Sequence, residues 1–218
     1  MIRGAIFDVD GTLLDSLSIW DTVAEDYLRS LGIEPRENLA ETFKTFSLEQ
    51  SAEYCRSVYG VKQSVKEIMD GIDAMMETFY RQTAPLKPGA AEFLRALAQN
   101  GVKMAVATAT DRHLIEAALT RCGVRAYFLD MFTCTSVGKS KNEPDIYRAA
   151  REALGTKKED TWVFEDACHA AKTAADDGFP VAALFDASED EQDALKKTAK
   201  LYLQSFEDAL PFREEMFR

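Results

Sequence analysis

Positive charge is scarce in this sequence. Its 218 residues carry 26 lysines and arginines against 37 acids, a formal net charge of −11, and only two histidines. A chain this acidic lacks the basic face that nucleic-acid phosphates require, and an anionic membrane surface would repel it. Neither nucleic acid nor membrane is therefore expected as a partner. A phosphorylated ligand is compatible only where a metal ion or a lysine supplies local positive charge. Cysteine is also sparse. Cys55, Cys122, Cys134 and Cys168 are scattered with no CxxC spacing. That pattern speaks against a disulfide framework or a zinc site, and reduced, buried thiols in a cytoplasmic protein are expected. No run approaches the ~18 apolar residues of a membrane-spanning helix. Met1 leads straight into Ile2-Arg3-Gly4 with no apolar leader behind it, so no signal peptide is expected. His113 and His169 share no metal-ligand spacing and are expected to be structural or exposed.

What is present is the composition of a globular domain, 46% hydrophobic and 29% charged. The length suits one domain, or one domain with an insert. Short apolar runs of β type recur at 2–8, 102–108, 131–134, 161–165 and 180–184. They do not alternate, as expected of strands buried on both faces of a parallel sheet. Helical segments separate most of them. Residues 88–100 start at Pro88 and stop before Gly101, 111–122 follow Thr110 as N-cap and stop before Gly123, and 144–154 run from Pro144 to Gly155. Strand–helix alternation of this kind predicts an α/β fold with a doubly wound parallel sheet.

Between Ser16 and Ala84 the alternation stops, and the chain reads as helices only, over 18–31, 37–45, 47–58 and 64–83. The predicted organisation is a core built from 1–15 and 85–218, with an all-helical cap of 16–84 inserted after the first strand. Met69, Met75, Met76 and Phe79 recur at helical spacing and are expected in the packing of the last cap helix. The tail offers an edge strand at 200–203 and a last helix at 205–210, and the acidic run 186–193 is expected as a solvated loop or helix start. No sequence feature separates a monomer from a homodimer.

Ligands of open α/β sheets bind outside the carboxyl ends of the strands. There the sequence places Asp8 and Asp10, then Thr108, Ala109 and Thr110, then Lys139 and Lys141, then Glu165 and Asp166. Residues i and i+2 of extended backbone face the same side, so Asp8 and Asp10 could share one ligand. Their repulsion calls for a cation, which Asp166 or Glu165 could help to hold in a magnesium-type oxygen shell. Gly11 permits a sharp turn and a close approach of backbone amides to an anion. Thr108 and the amide of Ala109 could hold phosphate oxygens, with Lys141 neutralising their charge. Asp15 is expected as a turn or hinge residue.

This set resembles the haloacid dehalogenase superfamily. "DVDGTLLDS" resembles its first motif, "VATAT" at 106–110 its second, "KNEPDIY" at 141–147 its third, and "VFEDACHAAKTAADDGF" at 163–179 its fourth. The resemblance implies a Rossmann-like core with a helical cap, as in the subgroup of β-phosphoglucomutase and phosphoglycolate phosphatase. It makes Asp8 the nucleophile that takes a phosphoryl group and Asp10 the general acid and base. Asp8, the carbonyl of Asp10 and Asp166 would bind Mg2+, with Glu165 directly bound or one step removed. Thr108, Gly11, Ala109 and Thr110 would hold the phosphate, and Lys141, preferred over Lys139 because it precedes PDIY, would stabilise the transferring charge. The implied activity is Mg-dependent hydrolysis of a small phosphorylated metabolite through an aspartyl phosphate. The alternatives are a sugar-phosphate mutase and a non-hydrolytic, receiver-like phosphoacceptor. Asp10 argues against dehalogenation. The cap is expected to act as a lid and set specificity, with Trp20 contacting substrate. Ala167 and Ala170 stand where many relatives have Ser and Gly.

Overall fold

The computed structural model describes residues 2–43 and 46–209. In chain order the elements are β1 (Gly4–Phe7), α1 (Ile19–Ser30), α2 (Leu39–Phe43), α3 (Leu48–Tyr59), α4 (Val65–Gln82), α5 (Ala90–Gln99), β2 (Lys103–Thr108) and α6 (Arg112–Arg121). They continue with β3 (Phe128–Thr133), α7 (Cys134–Val137), α8 (Asp145–Leu154), β4 (Thr161–Glu165), α9 (Cys168–Asp176), β5 (Val181–Leu184), α10 (Gln192–Thr198), β6 (Leu201–Leu203) and α11 (Phe206–Ala209). Residues 44, 45 and 210, which fall in two of the predicted helices, lie outside the described residues.

Among the described residues, six strands form one sheet in the order β3-β2-β1-β4-β5-β6. Every pairing is parallel. β1 is central, with Ile6 opposite Ala105 on one side and Val163 on the other. It is apolar throughout because it is buried on both faces. Phe7 stacks on Phe164 at 4.4 Å and meets Phe93 of α5 and Phe206 of α11. Ile6 turns the opposite way, into a cluster with Ala105, Val163, Ile146, Tyr147 and Ala171. Strand pleating thus assigns adjacent residues to two cores, one beneath α5 and α11 and one beneath α8 and α9. No described helix is long and apolar enough to cross a membrane.

The contacts divide the chain into two compact units. One runs up to Ser16 and resumes at Ala84; the other is Leu17–Thr83. Within the first unit the two crossing segments are tied by backbone bonds from Asp15 N to the Pro85 carbonyl (2.9 Å) and from Lys87 N to the Leu13 carbonyl (2.8 Å). The second unit is helical. Its longest helix, α4, starts at a capping box of Ser64 and Glu67 and buries Ile68, Ile72, Met76 and Tyr80, a row of i, i+4 steps. Gly71 lets α1 approach: a Cβ there would lie 2.5 Å from the Tyr27 ring.

Several expectations need correction. The third strand starts at Phe128, three residues before the apolar run that suggested it, and ends at Thr133, so Cys134 begins a helix. Asp130 interrupts the apolar pattern but is held at the strand by Arg112. Thr110 does not cap α6; Asp111 takes the N-cap position. The buried row of α4 includes Met76, while Met69, Met75 and Phe79 flank it and are half-buried. Asp186 is not solvated: it is 6% exposed, bound by Lys87 Nζ at 2.5 Å and by Ser188. All four cysteines are free thiols, but only Cys55 and Cys168 are buried. Both histidines are exposed.

Candidate active site

β1 ends at Phe7 because the turn begins at Val9, whose carbonyl accepts the amides of Leu13 and Leu14. Gly11 sits within that turn at φ 78°, a left-handed conformation that glycine adopts without a Cβ penalty. The turn leaves Asp8 at the carboxyl rim of the central strand, its amide bonded to the Phe164 carbonyl of β4. Lys141, between α7 and α8, reaches the same place. Its Nζ lies 2.5 Å from Asp8 Oδ1 and 2.6 Å from Glu165 Oε1. Asp166 follows Glu165 at the end of β4, so Asp8, Glu165 and Asp166 place a carboxylate oxygen each within 4.8 Å of one another. All three are buried, and so is Lys141.

Each group is further fixed. Glu165 Oε1 also accepts from the Tyr147 hydroxyl (3.2 Å), and its Oε2 takes the amides of Asp166 (3.0 Å) and Ala167 (3.2 Å). Four donors thus aim one carboxylate. Thr12 Oγ1 donates to Asp166 Oδ1 at 2.5 Å. Asp10 stands apart from the three-acid group: its Oδ1 accepts from Ser16 (2.6 Å) and its Oδ2 from Thr110 (2.7 Å). It nonetheless lies close enough to Asp8 for its charge to raise that carboxyl. Thr108 is buried at the end of β2 and accepts the Thr110 amide at 3.2 Å, and Ala109 is exposed at the tip of that strand. Lys139 turns to Glu143 instead.

Three carboxylates and one ammonium leave the buried cluster with excess negative charge. Burial, Glu165 and Asp10 push Asp8 up to about 7 against the pull of Lys141. Burial, then Glu165 and Asp8, raise Asp166 well above the usual carboxylate range. Burial opposes the charge on Lys141, but Asp8 and Glu165 hold its ammonium well above the usual lysine range. A hard divalent cation among Asp8 and Asp166 would offset that imbalance with oxygen ligands of the right chemistry, so the donor set fits Mg2+.

Thr12, Ser16 and Tyr147 were not singled out in the sequence. Each lies within or next to a motif, but the partners of Thr12 and Tyr147 stand 154 and 18 positions away. Trp20 belongs to the second unit, where it is 56% exposed. There it lines a cavity of about 240 Å³ with Val23, Phe43, Phe46, Leu48 and Ile72.

A parallel sheet whose central strand delivers an aspartate to a lysine and two further acids defines an α/β, Rossmann-like core with an acidic site at its carboxyl rim. The haloacid dehalogenase-like hydrolase profile matches residues 2–176, and the chain belongs to that family. It is 29% identical over 157 residues to hexitol phosphatase B of Escherichia coli, covering 71% of this chain and 70% of that protein. It is 24% identical over 176 residues to the phosphorylated carbohydrates phosphatase of Thermotoga maritima, covering 79% and 82%. Among solved structures, CbbY from Rhodobacter sphaeroides in complex with phosphate superimposes with TM-score 0.73 at 24% identity, over 94% of this chain and 95% of that one. The β-phosphoglucomutase of Clostridium difficile gives TM-score 0.71 at 16% identity, over 100% and 97%. These structures share the fold.

Proposed function

We propose that this hydrolase is a Mg-dependent phosphatase of a small phosphomonoester. The observation that carries the reading is the contact of Lys141 with Asp8 and Glu165 inside the three-acid group. The names of the curated relatives, phosphatases of hexitol and carbohydrate phosphates, favour a sugar or polyol phosphate as substrate.

In this reading Asp8 is the nucleophile. Its carboxylate attacks phosphorus to give an aspartyl phosphate, splitting one displacement into two easier ones. Asp10, held by Ser16 and Thr110, donates a proton to the leaving oxygen and then accepts one from the attacking water. Lys141 neutralises the charge of the transferring group. The Thr108 hydroxyl and the Ala109 amide hold its oxygens, while Gly11, its amide bonded to the Leu14 carbonyl, shapes the turn, and Thr110 spends its amide on Thr108 and its hydroxyl on Asp10. Asp8, the backbone carbonyl of Asp10 and Asp166 would hold Mg2+, which when bound supplies charge stabilisation to the phosphoryl group. Glu165, with both oxygens already occupied, serves to aim Lys141 rather than to ligate. The helical unit, Leu17–Thr83, is the cap domain that sets specificity, and Trp20 is its substrate contact.

Purified protein should release phosphate from a panel of sugar and polyol phosphates in the presence of Mg2+. Asp8→Asn is expected to lower turnover by ~10³-fold or more, and EDTA to abolish it. Full activity in Asp8→Asn protein would sink the mechanism. Product analysis with glucose phosphates separates hydrolysis from phosphoryl migration within the sugar.

A further inference from the structure

Ala167 occupies the N-cap position of α9, directly after Asp166, and offers no side-chain oxygen to the first turn. Ser, Thr, Asp or Asn is preferred there because it accepts one of the unsatisfied amides. In this chain the acceptor comes from elsewhere. Glu189 Oε2 takes the amide of Cys168 at 2.7 Å, while its Oε1 takes the amide of Glu191 at 2.6 Å. The loop carrying Glu189 is itself anchored. Its amide bonds the Asp186 carbonyl (3.3 Å), Gln192 Nε2 donates to the carbonyls of Asp186 (2.7 Å) and Glu189 (3.2 Å), and the Asp186 side chain is bound by Lys87.

Three consecutive amides after β4 therefore end on carboxylates: Asp166 and Ala167 on Glu165, and Cys168 on Glu189. A carboxylate at a helix N-terminus is also favoured by the helix dipole. Asp166 sits at the start of this run, with Thr12 fixing its side chain from the other side. We infer that Glu189 is a positioning residue for Asp166: a distant loop supplies the acceptor for the first helical amide of α9, two positions after Asp166. This rests on the proposed role of Asp166 as a metal ligand. Partners that orient ligands are commonly worth 10–100-fold in metal affinity.

The test compares wild type, Glu189→Ala and Glu189→Gln by calorimetric Mg2+ titration and by amide exchange of the 166–170 segment. Glu189→Ala should weaken Mg2+ binding about tenfold and speed exchange in that segment. Glu189→Gln keeps the acceptor and should stay near wild type. A purely structural role for Glu189 would lower the melting temperature without moving Mg2+ affinity, and that result overturns the inference. So does unchanged exchange in Glu189→Ala. Absence of Mg2+ binding by the wild type would sink the proposed function instead, and the exchange comparison then decides the role of Glu189 alone.

Discussion

Asp186 and Lys87 form the most enclosed ion pair outside the candidate site. Burial on its own would raise the Asp186 carboxyl, but the bonds from Lys87 and Ser188 outweigh it and hold the group below the usual carboxylate range. A folded pKa below the unfolded value means that the unfolded chain binds the extra proton on acidification. The contribution is therefore complete above about pH 5 and is lost as pH falls through the folded value. Asp186→Asn should lower the free energy of unfolding by about 1 kcal/mol at neutral pH after allowance for solvent screening. The deficit relative to wild type should shrink as pH drops below ~4; urea titrations at several pH values measure it. In the sequence, Asp186 is one acid in a run of acids, and nothing local distinguishes it from solvated neighbours. Asp8 and Asp166 were legible because each sits inside a patterned motif at a strand's carboxyl end, and Lys141 because it precedes the PDIY element. Thr12 and Glu189 were not, because a hydroxyl or a loop acid gains its meaning from a partner brought near only by the fold.

At the scale of elements, the packing of α1 on α4 turns on Gly71. Glycine in a helix interior is worth about 1 kcal/mol less than alanine, so Gly71→Ala would stabilise a solvent-facing helix. Here the added Cβ would stand 2.5 Å from the edge of the buried Tyr27 ring. Overpacking of that kind costs about 1–3 kcal/mol, which outweighs the propensity gain. Gly71→Ala should therefore destabilise the helical unit by about 1 kcal/mol, and Tyr27→Leu in the same chain should reverse the sign of the alanine effect. Denaturation followed by far-ultraviolet circular dichroism checks both. Strands β1, β2, β4 and β5 were readable to within two residues because continuous apolar runs bounded by glycine and acids mark doubly buried strands. β3 was read short because Asp130, anchored by Arg112, breaks the apolar run. The capping of α6 was misread because Thr110 spends its hydroxyl on Asp10 rather than on a helix amide.

For the whole molecule, stability should be unevenly shared between the two units. β1 is bonded on both sides and lies between two aromatic and aliphatic cores, whereas the unit Leu17–Thr83 is built from four short or medium helices. Amides of β1 and β4 should exchange at least ~10-fold more slowly than those of α2 and α3, because local openings cost least where few buried contacts must break. Exchange followed by mass spectrometry reports this directly, and equal protection in both units would contradict it.

The central place of β1 also bears on how the chain is made. Its sheet partners, β2 and β4, begin at Lys103 and Thr161, so a ribosome has released the first strand long before either neighbour exists. Thr12 waits still longer for Asp166, 154 positions on. The helices of Leu17–Thr83, by contrast, contact one another over short separations and can form while synthesis continues. The apolar strand Ala5-Ile6-Phe7 must therefore remain without its native partners in a partly folded nascent chain until β2 emerges, and full pairing of β1 has to await release of β4.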